Sequence, residues 1–115
     1  MTKNKRTKKQ ITRDMVTRFT TTVQESLTKF DLMSIPVRNE VYSTYIDIAH
    51  VLIINIMFEH KDEILEEDKE SISGSLDGIV TEMQAGGNTA LGLSLVYKST
   101  LEKLLGILEV IIDYV

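Results

Sequence analysis

His50 and His60 are the only side chains in this sequence whose ordinary pKa suits proton transfer near neutrality. Asp47 and His50 stand three apart, on one face of a helix, and Glu59 and Glu63 do the same at a spacing of four. An Asp-x-x-His pair is half of what a carboxylate-bridged di-metal bundle needs. Such a centre also requires a second pair and carboxylates from other helices, and no second motif is present. His50 falls at the edge of an apolar arc and reads as a partly buried structural imidazole. His60 falls in an acidic run and reads as solvated. No cysteine is present, so a thiolate nucleophile, a disulfide frame and a Cys-ligated metal are excluded.

Two further patterns carry little chemistry. Gly86-Gly87-Asn88-Thr89 opens a helix, but the long glycine spacing and the Lys-Ser or Lys-Thr pair of a phosphate loop are absent. The acidic run from Glu59 to Glu70 lacks the alternating ligands around a central glycine that calcium loops use. The sequence therefore predicts no catalytic residue, no resident metal and no cofactor.

Charge is the more informative pattern. Residues 1–20 hold seven basic groups against Asp14 alone, a net +6, while the other 95 residues hold six basic and 16 acidic groups, a net −10. Residues 1–10 have no apolar side chain after Met1, and such a segment cannot bury enough surface to offset its ordering entropy. They are expected to form a flexible basic arm ahead of a single domain over 11–115. Lys3, Lys5, Arg6, Lys8, Lys9 and Arg13 are the candidate nucleic-acid contacts, acting on phosphates by counterion release. A tail that only solubilises is the competing reading. No aromatic residue precedes Phe19, which argues against base stacking. Within the acidic run, Glu59, Asp62, Glu63, Glu66 and Glu67 are the candidate surface for a basic protein partner, against the reading of a plain solvated face.

These groups must be positioned by helices, because the apolar residues recur at threes and fours. Ile11, Met15, Phe19, Val23, Leu27 and Phe30 form a first stripe, with a strand over Arg18 to Val23 as the alternative on account of Thr20, Thr21 and Thr22. Ser34 reads as an N-cap and Pro36 as a first-turn residue of a second helix. There, Val37, Val41, Tyr45, Ile48, Leu52 and Ile56 form the main stripe, with Tyr42, Ile46, Ala49, Ile53 and Met57 beside it. Val51, Ile54 and Phe58 occupy the opposite side and are the candidate homodimer interface. This helix either ends near Glu59 or runs on to Asp68, about 45–50 Å in all. A third helix, started by Asp68 or Ser71, carries Ile72, Leu76, Ile79, Val80 and Met83, with Gly74 and Gly78 offering a flat face for close helix approach. Gly86-Gly87 should end it, and Asn88 or Thr89 should cap a fourth helix with Leu101, Leu104, Leu105, Leu108, Ile111, Ile112 and Val115 on one face.

The fold expected is all-α, an antiparallel bundle of about four helices. The longest apolar stretch, Ala49 to Phe58, is interrupted by His50 and Asn55 and is shorter than the roughly 20 residues of a membrane span, so no membrane crossing and a cytoplasmic location are expected. The expected function is non-enzymatic binding or regulation by a homodimer whose arm touches nucleic acid or a nucleoprotein. The alternative is an inhibitor or adaptor of the phage or mobile-element kind that binds a host protein through its acidic surface.

Overall fold

A computed structural model of the chain describes residues 8–85 and 89–115. Four helices fill these residues, α1 (Lys8–Thr28), α2 (Ile35–Glu59), α3 (Glu66–Ala85) and α4 (Ala90–Ile111), with single 3-10 turns at Phe30–Leu32 and Ile112–Tyr114. No strand occurs among the described residues, so the all-α expectation holds. Arg18 to Val23 is helix throughout. The threonine stretch tolerates it because Val16 and Val23, seven apart, fill the core while Thr21 and Thr22 face outward. There the helical cost of a β-branched residue is only a few tenths of a kcal/mol. The expected stripe holds at Val23 and Phe30, with Phe19 and Leu27 partly buried against the core, but Met15 is exposed and Val16 is buried in its place. α1 begins at Lys8, so Lys8, Lys9 and Gln10, expected in the arm, are helical.

Ser34 stands at the N-cap of α2 in extended backbone, without a side-chain capping bond, and Pro36 sits in the first turn. The helix stops at Glu59 instead of running to Asp68. His60 closes it through its N–H to the Ile56 carbonyl, and the His60 carbonyl then accepts from Glu63 N and Ile64 N. This reversal lets Ile64 fold back under cover. α3 starts at Glu66, earlier than Asp68 or Ser71, because Glu66, Glu67 and Asp68 then all lie in its first turn, where carboxylates complement the helix dipole. Thr89 caps α4 by accepting from Gly92 N at 2.9 Å. The expected stop at Gly86-Gly87 and the alternative cap Asn88 lie outside the described residues.

α4 is the centre of the molecule. Its buried residues, from Ser94 and Thr100 through Leu101, Leu104, Leu105, Ile107, Leu108 and Ile111, span nearly half its circumference, wide enough to receive three neighbours. α2 packs on it most extensively, then α3 and α1. Asn39 Nδ2 donates to the Ala90 carbonyl at one end, and Tyr114 Oη accepts from Leu65 N at the other, so α2 and α4 lie side by side pointing the same way. Arg13 binds the carbonyl oxygens of Val115 and Ile112, placing the start of α1 at the far end of α4. The molecule is consequently a slab of 52 × 35 × 17 Å.

Two expectations about packing fail. Gly74 and Gly78 have nothing within 4 Å of where a side chain would begin, so they face open space rather than a neighbouring helix. On α2 the buried row is Tyr42, Ala49, Ile53 and Ile56, while Val37 and Ile48, expected in the core, are exposed.

Candidate interaction surface

Arginine and aromatic residues fix the inward side of α2. Phe30 stacks on Tyr42 at 5.7 Å between centroids, and Phe19 meets Tyr45 edge-on. Arg38 lies over the Phe30 ring at 4.1 Å and donates to the Met33 carbonyl. Tyr42 Oη donates to the Ser26 carbonyl, and burial raises its pKa above the usual phenol value against the pull of the nearby Arg38 cation. With this side anchored, the opposite side must face outward.

That outward side is apolar. Val51 is 56% exposed, Ile54 48% and Phe58 72%, and Val37 and Ile48 extend the same surface. Helix spacing ties Ile48, Val51, Ile54 and Phe58 together at steps of three and four, with Thr44, Asp47 and Asn55 at their edges. Lys61 Nζ lies 5.2 Å from the Phe58 ring centroid. Sequence periodicity missed Val37 and Ile48 because a helix apolar on every side offers no contrast between its faces. α2 is long and apolar enough to cross a membrane by length and composition, contrary to the shorter reading of Ala49 to Phe58, and only 22% of its most apolar window is buried.

Beside this surface, a groove of about 130 Å³ runs between α2 and α3, floored by Leu104 and walled by Ile46, Leu76, Ile79, Val80 and Met83. Asp47 and His50 stand at its rim. His50 is exposed, not partly buried, because its position falls between the outer surface and the groove. His60 departs further from expectation. It is only 7% exposed, because closing α2 turns it inward, and its Nδ1 lies 3.3 Å from Glu63 Oε1. The two histidines are therefore not brought together, and no group of three or more His, Asp or Glu side chains converges on a metal-sized site among the described residues.

The acidic candidates cluster at the turn between α2 and α3. Glu59, Asp62, Glu63, Glu66 and Glu67 are all exposed, with Glu66 3.8 Å from Lys69. Asp68 accepts from Tyr114 Oη, and that bond raises the phenol pKa. Of the basic candidates, Lys3, Lys5 and Arg6 lie outside the described residues, and Lys8 and Lys9 form the first turn of α1. Arg13 donates from Nε to the Val115 carbonyl at 2.9 Å and from Nη2 to the Ile112 carbonyl at 3.3 Å, a cation at the end of a helix where the dipole favours one. No spacing rule signals that long-range contact in the sequence. No family model, curated protein or solved structure matches the chain.

Proposed function

We propose that this chain is a non-enzymatic helical regulator that works in the cytoplasm as a homodimer, with a flexible basic arm ahead of an antiparallel bundle. One observation carries the reading: a row of apolar side chains on one side of α2, Val37, Ile48, Val51, Ile54 and Phe58, is exposed in a molecule 17 Å thick. Contiguous apolar surface of this size marks a place of association. The charge division supports the second half of the reading, with Lys3, Lys5, Arg6, Lys8 and Lys9 contacting phosphates of nucleic acid or a nucleoprotein. Arg13 contributes less to such contacts than its neighbours, since its guanidinium already serves the end of α4. A second reading, binding of a basic protein, is favoured by the exposed carboxylates at the α2–α3 turn.

Phe58→Asp tests the association. A charge in a seam closed between copies costs several kcal/mol, so the variant should sediment as a folded monomer with unchanged helical circular dichroism. A wild-type monomer at tens of micromolar, or a variant that unfolds, defeats the dimer.

A further inference from the structure

The outer side of α2 reads nearly the same in both directions from its middle, and that determines how a second copy docks. Counting outward from Val51, Ile48 and Ile54 stand three residues away on either side, Asp47 and Asn55 four away, and Thr44 and Phe58 seven away. All seven are exposed. We infer that two copies of this chain pair through α2 in antiparallel fashion, with the two-fold axis passing at Val51. The inference rests on association through α2 and adds to it the partner, the direction and the register.

The physical case has three parts. In the antiparallel register each Ile48 meets Ile54 of the second copy, so apolar groups cover apolar groups. Each Asp47 carboxylate meets an Asn55 amide able to donate to it. At the ends, Glu40, an exposed residue on the same side of α2, faces the turn of the second copy that holds both Asp62 and Lys61, the latter lying over Phe58. The parallel arrangement instead sets Asp47 against Asp47, Glu40 against Glu40 and Lys61 against Lys61, three like-charge contacts along one seam. Closed two-fold association also leaves no free end to propagate, which an offset register would.

Size is adequate. Specific interfaces remove about a tenth of a small protein's surface per partner. The total here is 7277 Å², so on the order of 700 Å² per copy is needed. The ridge with its polar margins runs from Thr44 to Phe58, 15 residues of the 25-residue α2, and Val37 and Glu40 extend it toward the start of the helix. The same register places the Asp47 and His50 rim of the α2–α3 groove beside the seam and leaves the acidic turn and the start of α1 outside it.

The chain has no cysteine, so one introduced thiol reports on one position. Helix axes about 8–10 Å apart bring the Cα atoms of residue 51 within the roughly 4.4–6.8 Å that a disulfide spans. Val51→Cys should therefore give a covalent dimer under mild oxidation. Ile48→Cys and Ile54→Cys should each give little alone and a mixed dimer when combined. Glu40→Lys and Lys61→Glu should each weaken association a few-fold, and the double variant should recover it. If wild-type protein sediments as a dimer while Val51→Cys does not cross-link, the register falls and association through α2 survives. If Ile48→Cys and Ile54→Cys cross-link to themselves as well as Val51→Cys does, the pairing is parallel and the inference fails. A wild-type monomer at tens of micromolar ends both, and so does a monomer that cosediments with phosphatidylcholine vesicles, which would assign the ridge to lipid.

Discussion

Thr100 and Ser94 are fully buried on α4, and neither hydroxyl has a hydrogen-bond partner within the protein. Burying an unpaired hydroxyl costs about 1–3 kcal/mol, whereas an apolar group of the same shape costs nothing of that kind. Thr100→Val should raise stability by about 1 kcal/mol, measured by urea denaturation with an unchanged m-value. A loss of stability would mean that the hydroxyl bonds its own helix. Tyr114 behaves in the opposite sense, because its hydroxyl is committed. The bond to Asp68 needs the phenol proton and holds the pKa above its ordinary 10.0. Its contribution to stability is therefore complete below pH 10 and disappears as pH rises through the raised folded value. Tyr114→Phe should melt lower than wild type at pH 7, and the gap should close in alkaline solution. A gap that persists unchanged above that range would show that ring packing, not the hydroxyl, was lost.

Glycines 74 and 78 illustrate how an element can be legible while its orientation is not. Their spacing of four suggested close helix approach, yet both face open space. Gly78→Ala should stabilise α3 by about 0.5–1 kcal/mol, because it removes backbone freedom from the unfolded chain without creating a contact. A destabilised variant would place a neighbour against that face after all. Most of the α4 stripe was legible, because Leu101, Leu104, Leu105, Leu108 and Ile111 recur at helical spacing, whereas buried Ser94, Thr100 and Ile107 lie beside it and Ile112 is only partly buried. Thr89 and Pro36 were legible for local reasons, as a side chain that caps and a ring that fits a first turn. On α2 the periodicity ran out, since apolar residues surround it and only the tertiary contacts of Tyr42, Ala49, Ile53 and Ile56 decide which side turns inward. Val51, Ile54 and Phe58 were nonetheless readable as the outer side, standing opposite two rows that together had to serve the core. His60 was misread because composition placed it among acids, whereas its burial follows from the turn that ends α2. The same turn carries Ile64 into a buried position, which local sequence does not signal.

At the scale of the whole molecule, opposite charges meet at one end. Arg13 ties the start of α1 to Val115, and Leu65 and Asp68 tie the acidic turn to Tyr114, so basic and acidic segments of the sequence begin from the same pole. This proximity has a consequence for nucleic-acid binding by the arm. If Lys3, Lys5, Arg6, Lys8 and Lys9 each contact a phosphate, log affinity for duplex DNA should fall against log salt with a slope of about −4.5, at roughly −0.9 per contact. Deleting residues 1–7 removes three of those cations and leaves α1 intact from Lys8, so the slope should flatten to about −1.8. If the arm binds nucleic acid, exposed carboxylates of the acidic turn would oppose that binding wherever they come within about a Debye length, ~10 Å at 0.1 M salt, of the phosphates. Glu66→Gln with Glu67→Gln should accordingly strengthen binding at low salt. The gain should shrink as salt rises, since screening weakens the repulsion. A double variant that binds no better at low salt would separate the acidic turn from the arm's work. Absence of any binding to duplex DNA at 50 mM salt would remove nucleic acid from the proposal and leave the dimer and its acidic surface to carry it.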